Sequence, residues 1–467
     1  MRTVALFVLF LAPFSLAAQI SGSHIGEFQI GNLPDQRPKD RSSLYNQLNL
    51  AWKDGPFRIE SRFESYESQE ESRRYLEPTR VRFSYQSGMY SMRLGHLNET
   101  IGRGLLLRTY EIPGTIYEDA AYRTRYAFQR DLFGASAGVD AGTYGFRAIK
   151  GRPLWNILPP GLPDKLRRPD GVEAVTGYVQ APFNSMIGGA FMRQMDAFDT
   201  RGFAMGHLEL PLFGWNIYSE YARRTSSGNP AYAAYLSADG AIGAVGLSFE
   251  LKRYHDFRLG AGFNDPPPLV REQPWALLNR STHVLETNDE RGYQVEAYIP
   301  IGESTVLTLN RSQARNELFR TFRYRSTYAE VDHKQVKIFA EVGTDDLLGE
   351  TARRTAGGQM KISAGSSGGF TINVQAQRFD QAGGDVVRNG YLALAWSALE
   401  TWSVGTTAEA TTDGRNWFGG NVSWQSEGAH RLDVFIGTRR GGPACTSGIC
   451  YEVLDFEGAE LKLITRF

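Results

Sequence analysis

The sequence has little of what most exported and membrane proteins use to hold a fold together. Only 2 of its 467 residues are cysteine, which excludes a scaffold held by many disulfides. Beyond the first residues no apolar run of about 20 residues occurs, so a bundle of transmembrane helices is excluded. The seven histidines are scattered, and no P-loop or H-E-x-x-H motif is present. We therefore expect no cofactor and no metal site.

The chain also has no net charge, since 51 basic side chains balance 51 acidic ones. Without a global positive field we expect no nucleic-acid partner. A hydrophobic fraction of 42% is too high for a disordered chain. Glycine, by contrast, is abundant: 50 residues, about 11% against a usual ~7%. High glycine and aromatic content, with both signs of charge and no apolar runs, suits an outer-membrane β-barrel.

The first 18 residues predict a targeting sequence rather than part of the folded protein. Met1 and Arg2 form a short positive start, residues 4–16 are apolar, and Ala17 and Ala18 supply small residues for cleavage. This pattern is typical of a secretory signal peptide over residues 1–18. A membrane anchor is the alternative, but the apolar stretch is too short to span a bilayer.

The remaining sequence alternates with a period of two. In residues 245–252, for example, Val, Leu, Phe and Leu alternate with Gly, Ser, Glu and Lys, which is the pattern of a β-strand. A soluble sandwich would also alternate, but segments of about 10 residues with a heavily charged polar face favour a membrane barrel. We predict an all-β, transmembrane antiparallel β-barrel over residues 44–467, with about 22 strands (range about 20–24). Residues 19–43 are expected to form an N-terminal periplasmic or lumen segment.

The C-terminus carries the strongest single signal. Ala459, Leu461 and Leu463 share one face of a final alternating segment, and the chain ends on Phe467. This resembles the last strand of bacterial outer-membrane barrels, whose terminal aromatic residue is read by the barrel assembly machinery. We therefore predict location in the bacterial outer membrane, Phe467 as the assembly signal, and membrane lipid and the assembly machinery as partners.

The polar face of the predicted strands would line the lumen. Its charged members are mostly arginine and glutamate, which form bidentate pairs and so predict a crosslinked, weakly selective interior. The predicted lumen-lining residues are Arg58, Glu60, Arg62, Glu64, Arg80, Arg82, Arg93, Arg323, Arg325, Lys337 and Glu341.

Residues 94–111 break the alternation, because glycines interrupt a run of charged and apolar residues. Glycine inside a strand indicates a bulge or a close backbone approach. The segment can be a bulged wall strand with ordinary ion pairs, or a segment that leans into the lumen. In the second case Glu99, Arg103, Arg108 and Glu111 are candidates for a constriction.

Two proline-rich stretches, residues 153–171 and 265–280, predict loops, since proline cannot donate to a strand ladder. Long loops of barrels lie mainly outside the cell. The alternative is that a loop folds inward and narrows the pore.

The LG…E…GRGL-LR-YE pattern of residues 94–111 and the loop GGPACTSGIC before the last strand resemble an uncharacterised family of Bacteroidota-type, porin-like outer-membrane barrels. The resemblance implies fold and location and carries no functional residues over. Cys445 and Cys450 lie in that loop, and an oxidising compartment predicts a disulfide between them. A metal site is the alternative, but no histidine lies near.

The sequence contains no catalytic motif in the structural context that the motif requires. Gly365-Ser366-Ser367-Gly368-Gly369 formally matches G-x-S-x-G, but a strand rather than a helix follows it, so we interpret it as a hairpin turn. We predict a porin-like channel for polar or charged small solutes and no enzyme. The alternative is a plugged barrel that serves as a structural or partner-binding component, with a surface lipoprotein or secretion protein as partner. A barrel enzyme is the third reading.

Overall fold

A computed structural model describes residues 19–154, 159–161, 171–195, 199–226, 230–257, 259, 271–283, 289–316, 321–365, 368–398, 401–426, 428–446 and 449–467. The predicted signal peptide and most of the proline-rich stretch 153–171 lie outside the described residues.

Twenty-four strands form one antiparallel sheet. In chain order they are β1 (Gln19–Asn32), β2 (Ser42–Asp54), β3 (Phe57–Ser68), β4 (Tyr75–Ser87), β5 (Tyr90–Leu97), β10 (Leu132–Asp140), β11 (Tyr144–Pro153), β12 (Gly171–Ala181), β13 (Ser185–Met195), β14 (Thr200–Leu212), β15 (Trp215–Arg224), β16 (Tyr232–Ile242), β17 (Val245–His255), β18 (Arg291–Ile301), β19 (Thr305–Asn316), β20 (Phe322–His333), β21 (Val336–Asp345), β22 (Glu350–Ser363), β23 (Gly369–Gln381), β24 (Val386–Ala398), β25 (Trp402–Thr411), β26 (Asn416–Gln425), β27 (His430–Arg439) and β30 (Phe456–Arg466). Each pairs with the next, and β1 pairs with both β2 and β30, so the barrel is closed.

Six short strands lie outside the wall. They form the pairs β6 (Thr100–Ile101) with β7 (Leu107–Arg108), β8 (Tyr110–Glu118) with β9 (Arg125–Arg130), and β28 (Gly442–Thr446) with β29 (Ile449–Val453). The described helical elements are α1 (Ala276–Arg280) and the 3-10 turns Glu71–Arg73 and Pro182–Asn184. In the described ranges no helix has the length and apolar character to cross a bilayer.

The barrel confirms the predicted fold class and corrects two details. The strand number is 24 rather than about 22, and residues 19–43 are not a separate segment, because β1 closes the barrel against β30. The outward positions of β1 include Gly22, which hid the alternation. A Cβ on Gly22 would lie 2.5 Å from the ring of Phe467, so the closing seam requires glycine there.

The connections differ at the two ends of the barrel. Tight turns at residues 55–56, 88–89, 243–244 and 334–335 lie at the barrel end where the beginning of β1 meets Phe467, since Gly22 and Phe467 exchange backbone hydrogen bonds of 2.7 and 3.0 Å. Short turns face the periplasm and long loops face the cell exterior. The long connections after β1, β5, β11, β17 and β27 are therefore extracellular.

The outer wall is apolar. Outward side chains such as Ile59, Val295, Leu309 and Leu461 keep 38–44% of their surface exposed, although they are large and hydrophobic. A closed barrel satisfies every backbone donor and acceptor of the wall, so this surface can contact lipid. The architecture places the protein in the bacterial outer membrane.

Three extracellular connections contain buried residues that pack on the inner wall. We call them lumen loop 1 (residues 98–131, with β6 to β9), lumen loop 2 (the described residues among 256–290, with α1) and lumen loop 3 (the described residues among 440–455, with β28 and β29). Their contacts define the interior described next.

Candidate functional site: the loop-lined lumen

Lumen loop 1 begins with a carboxylate fixed to the wall. The Glu99 side chain is fully buried. It accepts hydrogen bonds from Arg93 Nη1 at 3.2 Å, Ser136 Oγ at 2.7 Å and Arg147 Nη1 at 3.0 Å. Two charge-assisted bonds and a hydroxyl therefore compensate the buried charge. These contacts attach the beginning of lumen loop 1 to the inner faces of β5, β10 and β11.

Arg103 fixes the next turn of the loop to β15 and β16. Its guanidinium lies 4.4 Å from the ring centre of Tyr218 and donates to Ser237 Oγ at 3.1 Å. Its backbone N–H donates to Glu220 Oε2 at 2.7 Å. Gly102 takes a left-handed conformation (φ 57°), and a Cβ there would lie 2.5 Å from the same carboxylate. Glycine is thus required for this backbone to approach Glu220.

The apolar part of lumen loop 1 occupies an apolar section of the inner wall. Leu105, Leu106 and Leu107 are at most 1% exposed. They belong to one buried cluster with inward side chains of β12 to β17, which include Met192 and Phe203. The part of the inner face that contacts these leucines is therefore apolar, and burial of the leucines holds the loop inside the barrel.

The hairpin of β8 and β9 lies against β1 to β4. Arg125 Nη1 donates to Glu27 Oε1 at 2.6 Å, and the backbone N–H of Ala127 donates to Glu64 Oε2 at 2.8 Å. On the same hairpin, Glu111 forms ion pairs with both Arg62 and Arg80. Burial alone raises the pKa of Glu111, but the two guanidiniums outweigh it and lower that pKa below 4.5.

The four constriction candidates are therefore held at different places. Glu99 and Arg103 are bonded to the wall between β5 and β16, whereas Glu111 is bonded to β3 and β4. Arg108 is half-buried beside Gly104. The segment leaves the wall after Leu97 and enters the lumen, so the reading as a bulged wall strand is wrong and the inserted reading is right.

Most of the predicted lumen residues lie on the inner face. On β3 to β5 and β21 they alternate with outward apolar residues, as predicted. The inward set is Arg58, Glu60, Arg62, Glu64, Arg80, Arg82, Arg93, Lys337 and Glu341.

The assignment of Arg323 and Arg325 to the lumen is wrong. Both side chains are exposed, while their neighbours Phe322 and Tyr324 are 1% and 3% exposed. The alternation of aromatic and charged residues predicted that the aromatic side chains of this strand face lipid. On β20 the aromatic residues point inward instead, because lumen loop 2 packs on them: the ring of His283 stacks on Tyr324 with centroids 4.6 Å apart.

Lumen loop 2 contacts the inner wall from β20 to β25. Trp275 Nε1 donates to Tyr328 Oη at 2.8 Å, and its ring stacks on Phe339 at 4.2 Å. Arg280 Nη1 contacts both oxygens of Glu409, at 2.6 and 2.5 Å. The sequence did not predict that these residues contact the wall. The presence of Trp275 and Arg280 in a proline-rich loop is the feature of the sequence that could have indicated an inserted loop.

A buried histidine connects lumen loop 2 to the wall. His283 is 0% exposed; its Nδ1 lies 3.2 Å from Asp345 Oδ2 and its Nε2 lies 3.5 Å from Glu290 Oε2. Burial lowers the pKa of His283, but the two carboxylates outweigh it and raise that pKa above 6.5. Burial likewise raises the pKa of Glu290, while Lys252 and His283 lower it to about 2. The cluster is thus held in its charged form.

Lumen loop 3 contacts both other loops. Ile449 packs in one buried cluster with Tyr110 and Phe128 of lumen loop 1. Arg440 Nη1 donates to Glu409 Oε1 at 2.7 Å, so it shares that carboxylate with Arg280. The register of β28 and β29 places Cys445 directly opposite Cys450. That register suits the predicted disulfide, which stays a prediction.

A cavity of about 390 Å³ lies in the lumen on the side of β10 to β15. Its lining includes Arg103, Asp140, Arg147, His207 and Glu209. In the described ranges no group of three or more His, Cys, Asp or Glu is arranged to hold a metal ion.

Exposure is unequal between the two signs of charge within the ion-paired cluster around Glu99. The Arg93 and Arg147 side chains are 36% and 39% exposed, whereas the Glu99 side chain between them is 0% exposed. The accessible part of this ion-paired cluster is therefore its guanidiniums.

Comparison with solved structures shows similar barrels. An E. coli P pilus tip assembly intermediate, PapC-PapD-PapK-PapG, matches with a TM-score of 0.53 at 9% identity, over 98% of this chain and 62% of that chain. The P pilus usher (PapC) translocation pore gives 0.48 at 9%, over 96% and 99%. OccK3 (OpdO) of Pseudomonas aeruginosa gives 0.41 at 11%, over 96% and 95%. No family model and no curated sequence matches the chain. At these identities the likeness concerns the fold alone.

Proposed function

We propose that the protein is a narrow outer-membrane channel for small polar or charged solutes, with an aperture set by its three lumen loops. The observation that carries the proposal is the arrangement around Glu99. An inserted segment is fixed to the wall there, the guanidiniums of Arg93 and Arg147 stay partly exposed, and Arg147 lines a lumen cavity. A polar, solvent-accessible interior suits diffusion of hydrophilic solutes.

We expect the accessible charge around Glu99 to favour anions. Alternation along the strands predicts a weakly selective interior, because arginine and glutamate balance in number. Several carboxylates that face inward are buried under guanidiniums, as Glu99 and Glu341 are, and so contribute less to the field met by a solute. Partly exposed guanidiniums then attract small anions.

The reversal potential in a potassium chloride gradient across a planar bilayer tests this proposal. For the wild-type mature protein we expect a modest preference for chloride. The double variant Arg93→Gln, Arg147→Gln should shift the reversal potential toward potassium, because two accessible positive charges are removed and Glu99 loses both of its charged partners. Arg325→Gln, which removes an exposed guanidinium on the outer face of β20, should leave the potential unchanged. A reversal potential that does not move in the double variant would contradict the proposed selectivity.

A plugged barrel with a structural or partner-binding role is the second candidate. The buried cluster around Leu105 and the contact of Ile449 with Tyr110 favour it, because both hold loops inside the lumen. Co-purification of a partner at a fixed ratio, together with absence of conductance, would support it over the channel. Membership of the Bacteroidota-type porin-like family also stays a proposal.

A further inference from the structure

The lumen cavity beside β10 to β15 contains aromatic rings that lie over glycines of the wall. The ring of Tyr178 lies across Gly145 of the neighbouring strand, where a Cβ would come 2.2 Å from Tyr178 Cε1. The ring of His207 lies across Gly188 in the same way, where a Cβ would come 2.1 Å from His207 Nε2. A side chain at either glycine would displace the ring, so glycine is what allows each ring to lie along the wall.

Both rings are accessible from the cavity and held in position. Tyr178 and His207 line the cavity and are only partly buried. Tyr178 Oη donates a hydrogen bond to Asp140 Oδ1 at 2.7 Å, which fixes the ring across β11. The ring of His207 lies beside that of Tyr218, with centres 6.1 Å apart and planes inclined by 27°. The aromatic surface is therefore ordered before a solute arrives, which lowers the entropic cost of binding.

The charges that line the cavity balance each other. Besides the imidazole of His207, the described lining contains the cations Arg103 and Arg147 and the anions Asp140 and Glu209. The two guanidiniums already bond to side chains of the wall and of lumen loop 1. The two carboxylate residues are exposed and can accept hydrogen bonds from a solute. This lining suits a solute without net charge.

A saccharide matches these features. The faces of a sugar ring carry C–H groups, which pack against the electron-rich face of an aromatic ring. The hydroxyls at its edge donate hydrogen bonds to carboxylates. The cavity volume of about 390 Å³ lies within the range of small-molecule sites.

We propose that this cavity binds a neutral saccharide, with sugar rings on Tyr178 and His207 and hydroxyls on Asp140 and Glu209. The two aromatic residues lie on β12 and β14, two strand spacings or about 10 Å apart, so a saccharide of more than one ring contacts both. The inference rests on the channel function proposed above and names the class of solute.

Saturation-transfer difference NMR tests the proposal on the full mature protein, in a detergent without a sugar headgroup and with maltose as the probe. We expect saturation to reach the C–H protons of the sugar rings. Sorbitol has similar hydroxyls but no ring, so at the same concentration its signal should be about five-fold weaker or less. Equal signals from maltose and sorbitol, or no signal from maltose, would overturn the proposal.

A second pair of probes tests the absence of charge selectivity in the cavity. Glucose and glucuronate share a ring and differ by a carboxylate. Because the lining charges balance, glucuronate should bind no more tightly than glucose. Tighter binding of glucuronate would contradict the assignment to a neutral saccharide.

Variants localise the binding. Tyr178→Ala, His207→Ala should weaken maltose binding by about ten-fold or more, whereas Tyr178→Phe, His207→Phe retains both ring faces and should keep most of the affinity. The matched control is Trp215→Ala: the Trp215 ring also lies over a glycine, Gly240, but on the outer face of the wall, opposite the buried Tyr218. It should bind like wild type. Unchanged binding in the alanine double variant, or an equal loss in the control, would refute the assignment.

Conductance in planar bilayers distinguishes failure of this proposal from failure of the channel function. Maltose binding to a protein that does not conduct would support the saccharide site and contradict the channel. Conductance without maltose binding would contradict the site alone. The comparison of maltose with sorbitol uses wild-type protein, so it decides the matter even if the alanine double variant does not fold.

Discussion

Individual arginines in this protein serve two environments. Inside the barrel, Arg353 is 2% exposed and contacts Glu341 at 3.0 Å and Glu350 at 2.6 Å. Outside, Arg325 alternates with the buried Tyr324 and Ser326 and is exposed. The sequence assigned Arg325 to the lumen together with Arg62, which does face it, because alternation shows which residues share a face but not which face is inside.

Because the ion pairs of Arg353 are buried, removing this arginine should strongly lower the stability of the protein. Arg353→Met leaves Glu341 and Glu350 without their guanidinium in a nearly dry environment. We expect the free energy of unfolding to fall by about 3–5 kcal/mol, seen as a lower urea midpoint for loss of the folded barrel. The matched control is Arg431→Gln, whose side chain is 53% exposed; it should cost at most about 1 kcal/mol. Equal midpoints for the two variants would contradict the burial of Arg353.

The elements divide into a regular wall and irregular inserts. Period-two alternation predicted most wall strands, since each places one face on lipid. It missed β1, where glycine replaces apolar residues at the seam, and it inverted the faces of β20, where inward aromatic residues pack on lumen loop 2. The inserted loops show no regular alternation of apolar and polar residues. Their positions depend on wall residues far away in the sequence, such as Glu220 and Glu409, and therefore could not be predicted.

Lumen loop 2 should respond to pH through His283. The folded-state pKa of His283 is raised, so its extra stabilisation is complete below its ordinary pKa of 6.5 and is lost as the pH rises through the raised value. We expect faster hydrogen exchange in residues 275–283 on moving from pH 6 into the alkaline range, after correction for intrinsic exchange rates.

His283→Gln is the control for this pH effect. The variant cannot carry the charge, so its exchange in the same residues should be faster at pH 6 and should lack the pH-dependent step. A wild-type loop whose corrected exchange is constant across the range would show that His283 does not hold the loop by its charge.

For the whole molecule, zero net charge conceals a spatial sorting. Carboxylates such as Glu99 and Glu296 face the interior and are buried, whereas Arg253, Arg291, Arg315 and Arg323 lie on the outer face of β17 to β20. Barrel closure, the final strand and location followed from the sequence. The inserted loops did not, because their contacts depend on which wall strands come to lie beside them.

Single-channel conductance tests the central claim that the lumen loops restrict an open path. In planar bilayers we expect a small but finite conductance for the wild-type mature protein. The variant Leu105→Asp, Leu107→Asp places two charges in the buried cluster and should release lumen loop 1, which would raise the conductance by about two-fold or more, since a charge is not tolerated among apolar side chains. Heat-modifiable mobility on gels confirms that the variant barrel is folded. No conductance from either protein, or equal conductance from both, would contradict the account.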